Sequence, residues 1–136
     1  TSIPLPPASF DVVCAFQVLE HLPYEQSLQA LAEMLRVSRR HVVISLPDAE
    51  YVWSYQFHVP MLGDYTFHVR RPRLRAPEHV FDGEHHWELG KRGYPVGRFV
   101  ADCASMARVL KTYRVPGNPY HRFFVLERLP GADAGA

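Results

Sequence analysis

Residues 10–23 read FDVVCAFQVLEHLP. The first seven, FDVVCAF, form a short apolar run with β-branched residues, the composition of a strand buried on both faces in a parallel sheet. Gln17, Glu20 and His21 follow at once, and Pro23 opens a helical pattern. Proline suits the first turn of a helix, and Glu25 suits the positive end of the helix dipole. Polar side chains just past the carboxyl end of a buried strand are where open α/β sheets hold their ligands. This segment therefore predicts an α/β fold and the place of its site together.

The pattern continues in both elements that follow. Leu28, Leu31, Ala32 and Leu35 recur at helical spacing and make one apolar stripe, closed by Arg36, Arg39 and Arg40 near the negative end of the dipole. Residues 41–46, HVVISL, read as a second buried strand stopped by Pro47. Strand, helix and strand in this order predict parallel strands with a right-handed crossover. Further on, GYPVGRFVADCASMARVL (93–110) reads as a helix with Pro95 in its first turn and Phe99, Val100, Cys103 and Met106 on its apolar face. KTYRV (111–115) and HRFFVLER (121–128) read as strands. The link between them is far too short for a crossover, so they form an antiparallel hairpin.

Residues 49–83 are less regular. AEYVWSYQFHVP reads as a short aromatic helix capped by Asp48, and YTFHVRRPRLRAPEHVFDG carries too much proline for a core element. A connection this long in a compact domain is functional, disordered or partly structured, and its aromatic content argues against disorder.

Composition narrows the function classes. A chain of 136 residues, 47% apolar and 21% charged, fits one ordinary globular domain. A net charge of +1 provides no global pull toward nucleic acid or an anionic membrane. Cys14 and Cys103 have no metal-type spacing and imply no disulfide framework; both read as buried thiols in a reducing compartment, the cytoplasm. No apolar run reaches the roughly 18 residues of a membrane span. Gly131 to Ala136 reads as a frayed tail.

Several clusters carry candidate chemistry. EHVFDGEHHWELG (78–90) holds His79, Glu84, His85, His86 and Glu88. The spacing matches no closed zinc motif, so no metal is expected; a substrate-facing loop or a structural cluster around Trp87 fits better. Arg70, Arg71, Arg73 and Arg75 could grip a phosphate or carboxylate, although a solvated loop is the default for such a run. Asn118, Tyr120, His121 and Arg122 read as turn and strand residues.

A parallel unit that ends in an antiparallel hairpin resembles the second half of class I S-adenosylmethionine-dependent methyltransferases, in which only the last strand is antiparallel and inserts between the fifth and sixth. LPPASFDVVCAFQVLEHLP resembles that family's entry into strand four, and ALAEMLRVSRRHVVISLPD its next helix and strand five. GEHHWELGKRGYPVGRFVADC and KTYRVPGNPYHRFFVLER resemble the end of a bacterial and archaeal subgroup. The resemblance is to methyltransferase type 11-like domains. It implies a Rossmann-like α/β fold with helices on the faces, S-adenosylmethionine as cofactor and a small-molecule methyl acceptor.

The resemblance also implies roles. Phe16, Gln17 and Glu20 fall beside the cofactor. His21 or Glu20 becomes a general base if the acceptor is a hydroxyl or amine. Asp48, Arg71, His85, His86 and Trp87 become acceptor contacts, with 49–90 as an insertion or lid. Asp48 equally suits a helix cap. No Gly-x-Gly-x-Gly run occurs, so residues 1–130 are expected to be a partial methyltransferase domain, the acceptor-side half, with catalysis depending on the missing half. The spatial strand order expected is first, second, fourth, third. That leaves 10–16 as an apolar edge suited to homodimerisation. The competing expectation is a non-catalytic α/β interaction module; a metal-binding protein built on His79 to His86 is the weakest.

Overall fold

The structure, a computed structural model, describes residues 2–72 and 74–130. The tail at 131–136, and Arg73 of the arginine run, lie outside the described residues. Four strands form the main sheet: β1 (Phe10–Phe16), β2 (Ser38–Pro47), β5 (Ala107–Val115) and β6 (Asn118–Arg128). Their order is β1-β2-β6-β5, the expected arrangement, with β1 and β2 parallel and β6 antiparallel to both neighbours. A single 3-10 turn (Leu19–His21) and helix α1 (Tyr24–Val37) join β1 to β2. Helix α2 (Val96–Ala104) precedes β5.

Both helices pack on the same face. Leu31, Met34 and Leu35 of α1 and Phe99 and Cys103 of α2 join Val42, Ile44, Leu46, Phe124 and Leu126 in one core, with Trp87 and Leu89 sealing it. The cause is topological. The chain moves from β1 to β2 to β5 in one direction across the sheet, and right-handed crossovers taken in one direction fall on one side. The other face carries Val12, Cys14 and Phe16, and among the described residues no helix covers it. Val12 is 49% exposed and Phe16 52%, so β1 is not the strand buried on both faces that its composition suggests.

Two junctions between helix and strand fall earlier than the sequence pattern suggests. Helix α1 stops at Val37 because Ser38 turns extended (φ −81°, ψ 148°) and its hydroxyl donates to Leu35 O at 3.1 Å. Arg39 and Arg40 therefore lie in β2, and Ala32 of the expected stripe is exposed while Met34 is buried. Helix α2 ends at Ala104, and Ala107 to Leu110 belong to β5. The largest correction concerns the stretch read as an aromatic helix. It is a two-stranded hairpin, β3 (Val52–Val59) and β4 (Gly63–Arg70). Trp53, Tyr55, Phe57 and Val59 alternate with Ser54, Gln56 and His58, the period of a strand. Pro60 and Met61 form its tight turn: Met61 takes φ 70° and Leu62 N–H donates to Val59 O at 3.0 Å. Proline second and a left-handed residue third is a favoured turn arrangement. The next element after Asp48 is the strand β3, so among the described residues its expected role as a helix cap does not arise.

Candidate functional site

The carboxyl ends of β1 and β2 lie side by side, Phe16 opposite Ser45. Gln17, the next residue, takes φ 54°. A non-glycine residue there is strained, and such strain clusters where a side chain must be aimed. Two hydrogen bonds hold it: Gln17 N–H donates to Ser45 O at 3.1 Å, and Gln17 Nε2 donates to Ser45 Oγ at 3.2 Å. Phe16 presents its ring on the uncovered face, 5.8 Å from the Phe123 ring.

Glu20 is fully buried, and neither carboxylate oxygen has a hydrogen-bond partner among the described residues. Burial pushes its carboxyl above the ordinary 4.5, opposed by its own backbone N–H and by His21, His85 and His121. His21 is exposed, and its Nδ1 lies 3.0 Å from Glu84 O. A carbonyl only accepts, so Nδ1 carries a proton, and in the neutral ring the lone pair is on Nε2. The His85 ring stands 5.0 Å from that of His21. The side-chain donor atoms of Glu20, His21 and His85 lie within 4.8 Å of one another, as do those of Asp82, His85 and Glu88, so either trio could accept a cation.

The residues expected to touch an acceptor divide into two groups. His85 and His86 meet the 3-10 turn directly, His86 N–H donating to Glu20 O at 2.8 Å while its ring packs on Phe81. Trp87 is wholly buried against Tyr24 and Phe99 and donates Nε1–H to Leu22 O at 3.1 Å. It is a core side chain, as the structural reading of its cluster expects. Asp48 is also buried: Oδ1 accepts from Glu50 N–H at 2.9 Å, and Oδ2 accepts from Arg114 at 2.7 Å and Arg122 at 2.6 Å. Its carboxylate is thus committed to protein cations. Arg71 stays exposed, its backbone N–H donating to Tyr51 O.

Sequence reasoning gave no functional place to Arg114, Arg122, Glu50 or His68. Arg70 contacts Glu50 at 2.8 Å, and Glu50 also meets Arg114 at 3.4 Å and Arg122 at 3.8 Å. The available signal was parity. Arg114 and Arg122 sit opposite each other, in step with Thr112 and Phe124, on the side of the sheet that faces the core. Gly90 lets this corner close. Its φ is +80°, and a Cβ there would stand 2.7 Å from Glu50 Cγ.

A family model described as a methyltransferase domain matches residues 1–46, which span β1, α1 and nearly all of β2. No curated protein gives a significant match. Among the described residues, no helix is long and apolar enough to cross a membrane. The matched segment is the one that carries the strained Gln17 and the buried Glu20, and S-adenosylmethionine is the usual cofactor of methyltransferases. The match covers residues 1–46 of a 136-residue chain, and the mixed sheet in the order β1-β2-β6-β5 is compatible with a Rossmann-like methyltransferase fold.

Proposed function

We propose that this chain forms the acceptor-side part of an S-adenosylmethionine-dependent methyltransferase acting on a small molecule. Gln17 carries the proposal: a strained, hydrogen-bonded residue at the carboxyl end of a parallel strand, where open α/β sheets bind ligands. The residues fit one side of the cofactor. The exposed Phe16 ring offers a π face to its positive sulfur, and Gln17 offers a polar group beside it, with Glu20 buried behind. When bound, the cofactor supplies an electrophilic methyl group. The chain's own part is to orient the acceptor, since alignment carries much of the rate of such a transfer. His21 Nε2 is the base for an acceptor proton; Glu20, buried, serves better as a polar wall than as a second base. Ultraviolet photolabelling with methyl-labelled S-adenosylmethionine tests this. The label is expected on the Phe16–His21 peptide and lost in Q17A. Label on α2 or β4 instead, or equal labelling of Q17A, refutes it.

A second reading keeps its own observation. Trp53, Tyr55, Phe57, Tyr65 and Phe67 line one face of the β3–β4 hairpin and are each 42–50% exposed. An aromatic face of this kind suits a non-catalytic interaction module, and the outer edge of β1, which pairs with no strand among the described residues, suits a second copy of the chain. Chain mass by light scattering, before and after Phe57→Ser, separates these surfaces from a purely catalytic one.

A further inference from the structure

Beneath the polar side of the β3–β4 hairpin lies a cleft of about 660 Å³, within the size range of small-molecule sites. Thr66, His68 and Arg70 of β4, Arg114 at the end of β5, and Val96 and Gly97 at the start of α2 line it. Two features there favour negative charge, and a third offers a hydrogen bond to it. The Arg114 side chain is 6% exposed; its Nε and Nη2 donate to Asp48, yet Nη1 is buried with no partner among the described residues. His68 Nε2 is likewise buried and unpartnered, while Nδ1 lies 2.9 Å from the Ser54 hydroxyl. When that hydroxyl donates to Nδ1, the ring proton sits on Nε2. Helix α2 also begins at this cleft. The N–H groups of Val96 and Gly97 belong to the first turn, which has no helical acceptors, and the helix dipole favours an anion there.

The charges agree. Arg70, Arg114 and Arg122 face the carboxylates of Asp48 and Glu50, three cations against two anions. The cleft also lies at the edge of the sheet where β2 and β5 end and β6 begins, the ligand side of an open α/β fold. We propose that this cleft binds an oxyanion, the phosphate or carboxylate of a small molecule, on Arg114 Nη1, His68 Nε2 and the first turn of α2. On the methyltransferase reading, which this inference deepens, that molecule is the methyl acceptor, and the insertion 49–90 selects it by its negative group.

The test titrates inorganic phosphate, acetate and choline separately into the full 136-residue chain, without cofactor, by calorimetry and ³¹P line width. Omitting cofactor keeps this result independent of whether the methyltransferase reading holds. One saturable anion site is expected, with choline not bound. Tighter phosphate than acetate indicates a phosphorylated acceptor, and the reverse a carboxylate. Gly97→Glu adds a carboxylate where a Cβ meets open space and where the dipole welcomes one. It should keep its thermal midpoint and weaken anion binding at least tenfold. His68→Ala should weaken it about threefold by removing one of the neutral hydrogen bonds, and decides the matter if Gly97→Glu folds poorly. No saturable anion binding, choline binding as well as phosphate, or anion affinity unchanged in the variants would overturn the proposal.

Discussion

Val125 and Leu126 are neighbours in β6 and opposite in fate. Leu126 is fully buried under the helices; Val125, with Phe123, Val43, Cys14 and Val12, looks out from the face that no helix covers among the described residues. Both faces are apolar, so hydrophobicity alone does not decide which is buried. The direction of the crossovers does, by sending α1 and α2 to the same side. The covered face holds the molecule together, whereas the bare face runs to Phe16 and Gln17, where the candidate cofactor residues stand.

This contrast has measurable consequences. The largest falls on the covered face: Phe124→Ala should cost about 3–5 kcal/mol by urea unfolding, while Val12→Ala, half exposed, should stay within about 1 kcal/mol. Equal losses at the two sites would break the distinction. Asp48→Asn should cost about 3 kcal/mol, because Arg114 and Arg122 would lose their common buried carboxylate. A near-neutral result would mean that this corner is wet.

A pH effect comes next. Burial raises the Glu20 carboxyl above 4.5, so folding favours its protonated form. As pH rises through 4.5 the unfolded chain loses that proton first, and stability falls until the raised folded value is passed. Glu20→Gln should therefore stabilise the protein near pH 7, with the gain vanishing below about pH 4, where both states are protonated. A gain independent of pH would assign the effect to packing instead. The smallest effect is chemical. Cys14 lies exposed on the bare face, while burial pushes the Cys103 thiol up to about 12. A disulfide reagent at pH 8 should modify one thiol in the folded chain and the second only on unfolding. Two fast thiols would mean that the covered face is open.

Much of this was legible in the sequence. The apolar run at Phe10–Phe16, the Pro23 helix start, the strand before Pro47 and the short link at Pro116–Pro119 marked the main-sheet elements and the final hairpin, and the family resemblance supplied the place of β6 beside β2. Exposure was not legible: FDVVCAF has the composition of a fully buried strand, and nothing within it says that one face lacks a cover. Cys14, expected to be buried, is exposed for that reason. The hairpin was misread because an aromatic run after an Asp fits a capped helix, although its odd and even positions separate cleanly. The site was half visible. Gln17, Glu20 and His21 stand out locally, but His85 reaches them only through tertiary folding, as Arg114 reaches Asp48 across 66 positions.

The most direct test is calorimetric titration of S-adenosylmethionine into the folded chain and its Phe16→Ala variant. The account predicts saturable binding by the wild type, weakened about fivefold when the exposed ring at the end of β1 is removed, since an aromatic contact to a ligand cation is worth about 1 kcal/mol. No binding by a folded wild-type sample, or equal binding by both, would contradict a cofactor side built on Phe16 and Gln17.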